Sequence, residues 1–578
     1  MPDRALARTE GSTLSVDLLG PEADKTMTPE TPPTPRRWRR IVAGVFTALA
    51  AVVVFLALST PQNISRLPEG SNTAEAFIRI PIEALIAVAV LLVLPPRVRR
   101  VVAVVGGVLL GLLTIVKIVD MAFYSALARP FNPVLDWTLL DDGFSFLGDS
   151  IGENGARLVL VGAVLLVLCV PVLMAWSVLR LTRLAERHRT AASRTVLALS
   201  AAWVVLALLG THFVSTVFIS SDTAITLARD TYLKVPEGIK DKREFATLAA
   251  NDRFRDTPAD QLLTGLRGKD VVFAFIESYG RSAVEDPDYA AKMDATLKAG
   301  TAKLAAAGFG SQSGWLTSPT AGGGSWLAHS TFQSGLWVDN EQRYRTLTAS
   351  DRTTLTSAFG RADWRTVGIE PGLTYAWPEG EFYGYQKIYG ERDLGYRGPK
   401  FSWATMPDQF TLQAFEKLER SKPDRKNLMT EITFVSSHTP WAPIPDLVAW
   451  DQLGDGSIFG PMTAHDPSAT EVWKDTKRVR AEYLRSVEYS VNSLVSYVEK
   501  YGDDDLVLVF LGDHQPSPIV TGQNASRDVP ISIVTRDKAV LAKTASWKWA
   551  PGLKPLPSTP AAKMDTFRDQ FLTTFSGP

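Results

Sequence analysis

The chain has 578 residues, too many for one ordinary domain, and its 61 basic and 61 acidic side chains cancel. That balance excludes a global polyanion or polycation partner, nucleic acid included. Its only cysteine, Cys169, excludes an internal disulfide and a cysteine-based zinc cluster, so an exported part must rely on core burial.

Residues 1–35, rich in Pro, Thr and acids, read as a disordered cytoplasmic tail, too polar for a signal peptide. Residues 36–219 read as a five-span membrane domain, with apolar runs at 41–59, 76–95, 101–124, 157–178 and 194–219. Each approaches the roughly 20 residues that a bilayer crossing takes. "RRWRR" (36–40), "RVRR" (97–100) and "RLTRLAERHRTAASR" (180–194) fall on one side of these spans. "PQNISRLPEGSNTAE" (61–75) and the acidic "DWTLLDDGFSFLGDSIGENG" (136–155) form the loops on the other. Basic loops stay in the cytoplasm, so the N-terminus is expected inside and everything after about residue 220 outside. Arg79 and Glu83, then Lys117 and Asp120, lie toward the outer leaflet within spans. Structural pairing and a polar seat for a lipid headgroup are both open readings.

A juxtamembrane linker (220–268) leads to an extracytoplasmic domain at 269–578. Short β-rich runs, "DVVFAFIE" (270–277), "WRTVGIE" (364–370), "LMTEITFVSS" (428–437), "DLVLVFLGD" (505–513) and "PISIVT" (530–535), alternate with helical stretches at 289–306, 407–420 and 477–501. Near-continuous apolar strands between helices indicate an α/β fold with a mainly parallel sheet covered on both faces. In such sheets ligands gather beyond the carboxyl ends of the strands.

Three of these ends carry chemistry. "FAFIESYG" ends on Glu277, "FLGDHQP" on Asp513 and His514, and "FVSSHTPW" on His438. Any one alone is an ordinary turn residue. Together they suggest one divalent cation held by carboxylates and an imidazole, which would explain an acid at the end of a buried strand. In "PTAGGGSWLAHSTFQSGL" (319–336) a glycine run precedes Ser325 at an expected helix start, with Gly335 at its stop. A cation would lower the hydroxyl's pKa and the helix N-terminus would offer N–H groups to a phosphate, so Ser325 is the candidate nucleophile. Thr331 and Thr320 are the alternatives. His329, four residues on, shares its helix face, and His465 in "GPMTAHDPSAT" is a further candidate.

These stretches together resemble the alkaline phosphatase/sulfatase superfamily, in particular its membrane-bound branch. The layout is similar to that of the lipoteichoic acid synthases, which are phosphoglycerol transferases, and more distantly to the phosphoethanolamine transferases. The resemblance implies metal ligation by Glu277, Ser325, Asp513 and His514, and contact of His438 with the substrate phosphate. It implies one cation, Mn²⁺ first, with Mg²⁺ or Zn²⁺ as alternatives. The relatives place Thr where Ser325 stands. In "AWPEGEFYGY" (376–385) Trp377 matches their glycerol-phosphate element, but Glu379 stands at its arginine position. A carboxylate there disfavours plain glycerol phosphate and favours a cationic amine. "SWLAH" lacks the Pro and Arg of the formylglycine motif, which disfavours sulfate esters.

The resulting expectation is a metal-dependent phosphotransferase or phosphodiesterase taking a membrane lipid headgroup as donor. Its acceptor would be an envelope hydroxyl or water. The alternatives are a hydrolase of sulfate or phosphate monoesters and a catalytically inactive envelope scaffold. Few spans and no visible repeat argue against a transporter.

Overall fold

The computed structural model describes residues 35–577 apart from 63, 65–66, 68–70, 134, 137–138 and 215–216; side chains of 35–37, 140–143 and 145–152 are left out. The tail read from residues 1–35 lies outside the described residues up to 34.

The apolar half forms α1 (Pro35–Ser59), α2 (Ile82–Val93), α3 (Pro96–Leu127), α4 (Leu139–Arg187) and α5 (Arg189–Leu209). Four stretches, Trp38–Ser59, Pro96–Leu127, Glu153–Arg187 and Arg189–Leu209, are long and apolar enough to cross a membrane. The continuous helix expected over 76–95 is not formed, because α2 has only 12 residues. At 1.5 Å per residue that is about 18 Å, well short of a bilayer core. Upstream, Ile80 and Pro81 pair as a parallel bridge with Ser220 and Ser221, which holds the chain extended. The last expected span, 194–219, ends at Leu209. Gly210, at φ 60°, caps it, and His212–Val214 then pairs back on Val217–Phe218. The acidic 136–155 stretch, expected as a loop, is helical from Leu139. Extending an existing helix adds one hydrogen bond per residue without a new nucleus.

Lys117 donates to the carbonyls of Ala57 (2.8 Å) and Thr60 (3.0 Å), which places the C-terminal ends of α1 and α3 together. α4 runs the other way: a Cβ on Gly107 would lie 2.5 Å from Ala175 Cα, and one on Gly111 the same distance from Pro171 Cα. Only glycine permits that approach. The other three intramembrane ionisable groups also hold backbone at element ends. Arg79 donates to Phe218 O (3.1 Å) and Asp120 accepts from Phe131 N (2.9 Å). Glu83 accepts from Ala224 N (2.7 Å) and Ile225 N (3.1 Å), capping α6 (Thr223–Ala250). The juxtamembrane stretch is thus mostly one helix.

The second half is built on a sheet of nine strands: β1 (Asp270–Ile276), β2 (Gly310–Thr317), β3 (Arg365–Glu370), β4 (Lys387–Gly390), β5 (Leu428–Phe434), β6 (Leu506–Gly512), β7 (Asp528–Thr535), β8 (Ala550–Pro551) and β9 (Ala562–Lys563). Their order is β8-β2-β7-β6-β1-β5-β3-β4, with β9 also on β2. The run from β6 through β1, β5 and β3 to β4 is parallel, and β7 pairs antiparallel with β6 and β2. Every residue of β1 is buried. Val272, Ala274 and Ile276 enter one core and Val271, Phe273 and Phe275 the other, so both faces are covered. That is why the apolar run does not alternate. The helix α7 (Ser325–Ser334) and the long α8 (Thr476–Tyr501) pack on the sheet, and α9 (Phe567–Phe575) follows the last strand. Arg568 of α9 and Asp252, just after α6, form a fully buried ion pair at 3.1 Å.

Candidate active site

The parallel strands β1, β5 and β6 end at one edge, in register: Ile276 lies beside Phe434 on one side and Gly512 on the other. The chain turns sharply after β1, with Ser278 at φ 56°. Gly512 is required there, since a Cβ would sit 1.8 Å from Tyr279 O. Asp513 Oδ1 accepts from Ser278 N and His514 N, both at 2.7 Å, which locks the two turns together. Ser437 Oγ donates to Glu277 O at 2.6 Å, tying in the β5 end.

Ser325 arrives from the other side. Gly322, Gly323 and Gly324 have φ 75°, 154° and 81°, a run of left-handed backbone open to glycine, and Ser325 begins α7. Its Oγ donates to Glu277 Oε2 (2.8 Å) and lies 3.2 Å from His514 Nε2. Among the described residues, Glu277, Asp513 and His514 bring ligand atoms within 4.8 Å of one another, all buried.

This set fits a cation. Asp513 Oδ2 is buried with no hydrogen-bond partner. His514 Nδ1 faces Gln515 O at 2.8 Å, and a carbonyl only accepts, so Nδ1 carries the proton and Nε2 presents a lone pair to the site. Burial works against the charge of Glu277, while His514 and His438 when protonated, and the Ser278 hydroxyl, hold its carboxyl down. Burial and then the neighbouring Glu277 push Asp513 up to about 7. Two adjacent buried carboxylates thus share one proton unless a cation replaces it.

The other expected residues divide. His438 stacks on Trp403 (centroids 3.6 Å apart), and its Nδ1 bonds Thr439 O at 2.5 Å. Burial lowers its pKa, so the neutral ring offers Nε2 as an acceptor. Trp377 and Glu379 line the same cavity of about 570 Å³ as Glu277, Ser325 and His438. His329 lines it too, with Nδ1 on Glu431 Oε1 at 2.9 Å and its ring stacked on Phe275. His465 is not brought to the site: it is exposed, with Nδ1 on Pro461 O at 2.6 Å. Thr331 is fully buried, donates to Leu327 O and accepts from Val338 N, a structural role. Thr320 is buried beneath Gly324 and does not line the cavity.

Sequence reading missed Glu370, Glu431 and Tyr385 on the cavity floor. Tyr385 OH donates to Glu431 Oε2 at 2.9 Å, and Gln333 Nε2 donates to the same oxygen. Burial, then the Glu431 charge, pushes Glu370 up to about 8. The signal that singled out Glu277, an acid in an apolar strand, is also present in "WRTVGIE" and "LMTEITF".

No family model and no curated protein matches the chain. Among solved structures it is similar to alkaline phosphatase superfamily proteins, including phosphoglycerol and phosphoethanolamine transferases. The lipoteichoic acid synthase LtaP of Listeria monocytogenes is matched at 16% identity over 51% of this chain and 70% of that one, with TM-score 0.33. The phosphoglycerol transferase GacH of Streptococcus pyogenes, in complex with sn-glycerol-1-phosphate, gives 12%, 59%, 91% and 0.33 in the same order. The soluble domain of lipooligosaccharide phosphoethanolamine transferase A of Neisseria meningitidis gives 14%, 53%, 87% and 0.36. Likeness at this level assigns no activity to this chain.

Proposed function

We propose that this chain is a membrane-anchored, divalent-cation-dependent phosphoryl transferase or phosphodiesterase that acts on lipid-linked headgroups through a phosphoserine at Ser325. The observation that carries the reading is the Ser325 hydroxyl at the first position of a helix, 2.8 Å from Glu277 and 3.2 Å from His514, beside a partnerless Asp513 oxygen. Glu277, Asp513, His514 and Ser325 would hold the cation, with Mn²⁺ first and Mg²⁺ or Zn²⁺ as alternatives. Such an ion lowers the hydroxyl's pKa and draws charge from the phosphoryl oxygens. Ser325 Oγ would then form the O–P bond while the donor's P–O ester bond breaks, and the hydroxyl's proton leaves on the departing lipid oxygen. Amide N–H groups at the start of α7 face the phosphoryl oxygens. In the second half an acceptor hydroxyl or water attacks phosphorus, the Oγ–P bond breaks, and His438 Nε2 takes the acceptor's proton.

The cavity lining favours a headgroup with a cationic part. Glu341, Glu379 and Glu431 line it, and the only Lys or Arg there among the described residues, Arg345, is bonded to Glu341 at 3.0 Å. Trp326, Trp377, Tyr383 and Trp403 supply ring faces suited to an ammonium. The purified full-length protein should therefore be given aryl phosphodiester, aryl sulfate, phosphatidylglycerol and phosphatidylethanolamine with Mn²⁺. Phosphorus substrates should turn over and aryl sulfate hardly at all. Faster release from the sulfate would overturn the reading. Phosphatidylethanolamine should be preferred about tenfold, and Glu379→Gln should erase that preference while sparing the aryl diester. Diacylglycerol release from phosphatidylglycerol alone would refute the cationic preference.

We also propose a multi-pass arrangement with the N-terminus cytoplasmic. The parallel α1 and α3 both begin with arginines, so the chain must return between them, through 60–95. A reporter active only outside the cytoplasm should work when fused after residue 240 and fail within 182–192. The reverse pattern would sink the arrangement.

A further inference from the structure

The end of α3 touches the nucleophile loop. A Cβ on Gly322 would lie 1.9 Å from Ala126 O and 3.2 Å from Leu127 Cα, and one on Gly323 would meet Leu127 Cδ2 at 3.3 Å. On its other side the loop is tied to the metal-ligand segment. Gly322 N donates to Gln515 O at 2.7 Å, and Ala321 bridges Gln515 in parallel. The short helix Pro518–Thr521, which follows that segment, also packs on α3. The three glycines are therefore held between His514's neighbour and the tip of an apolar helix.

That tip is itself fixed. Lys117, 4% exposed, bonds two carbonyls at the end of α1, and Asp120 holds Phe131 N beyond the helix. Arg129 and Asp136 close the following turn with two bonds of 2.7 Å, and Lys234 of α6 donates to Phe131 O at 2.6 Å. Left-handed glycine loops have many conformations available, so one held this closely needs contacts on both sides.

We propose that Ala126 and Leu127 at the tip of α3 are positioning residues, which hold Gly322–Gly324 so that Ser325 Oγ faces Glu277 and His514. The inference rests on the reading of Ser325 as the nucleophile. The membrane half then completes the catalytic geometry as well as anchoring it. An error of about 1 Å in a reacting group can cost on the order of a hundredfold in rate.

The test uses the full chain in lipid nanodiscs with Mn²⁺. Leu127→Ala removes the side chain that meets Gly323 and leaves the helix intact. It should raise amide hydrogen exchange of residues 321–326 about tenfold and lower kcat on a soluble aryl phosphodiester about tenfold. KM, thermal midpoint and exchange in β1 should not move. Gly322→Ala, which collides with the Ala126 carbonyl, should lower kcat further. Unchanged exchange at 321–326 in the Leu127→Ala protein would overturn the proposal, as would a rise in KM alone. The exchange readout needs no turnover. Faster exchange in a protein whose wild type turns over no diester would keep the positioning role and defeat the reading of Ser325.

Discussion

Ser325→Ala is expected to lower turnover of every phosphorus substrate by more than about a thousandfold while leaving the fold and bound cation largely in place. Loss of an attacking group removes the covalent route, and what remains is catalysis by the surrounding donors. The hydroxyl is one weak ligand beside two carboxylates and an imidazole, so cation binding should fall only modestly. Rate, thermal midpoint and metal content decide it together. Retention of more than a few per cent of wild-type turnover would place the nucleophile elsewhere. The two threonines raised as alternatives do not present themselves: Thr331 is enclosed and bonded, and Thr320 lies beneath the loop.

Asp513→Asn should abolish both activity and bound cation. The amide oxygen can still accept from Ser278 N and His514 N, so the two turns survive, and what is lost is charge at the partnerless Oδ2. Removing an outer-shell partner alone typically costs about 10–100-fold in metal affinity, and a direct ligand should cost more. Asp513→Ala or Glu277→Ala should lose the same functions with some stability besides, since the first leaves two buried N–H groups and the second two serine hydroxyls without their acceptor. A pH dependence follows with a definite sign. Free of a cation, Asp513 titrates near 7 because burial and Glu277 raise it, and only the ionised form can ligate. Apparent affinity of the wild type should therefore fall as pH drops through about 7, by up to about tenfold per unit. Calorimetric titration with Mn²⁺ between pH 5.5 and 8 would show it. Affinity flat across that range would mean that Asp513 is not a ligand.

The candidate site's edge was legible because burial punishes charge. β1 and β6, within "DVVFAFIE" and "DLVLVFLGDH", are strands whose every residue is buried, so an acid just past their ends stood out. The same logic covers Glu431, but its place inside β5 rather than at the end drew no notice. β2 was invisible for the opposite reason: "GSQSGWLT" is polar and glycine-bearing, and it is a strand because β7 and two short strands pair along it. In the apolar half, hydropathy located the segments but not the helix ends. Those ends are set by Gly210 and by the Ile80–Ser220 bridge, one backbone conformation and one long-range contact that no hydropathy window contains.

The buried pair of Asp252 and Arg568 joins residues 316 apart in the chain, one just past α6 and the other in α9. At a synthesis rate of about 5–20 residues per second, roughly 15 to 60 s separate their emergence. Through that interval Asp252 lacks the guanidinium it bonds in the finished fold, and its charge is met only by the more distant Arg352. Docking of the linker after α6 is therefore expected to stay incomplete until Arg568 has been made. The lock is supplied from 316 residues away, when α9 docks and Arg568 meets Asp252.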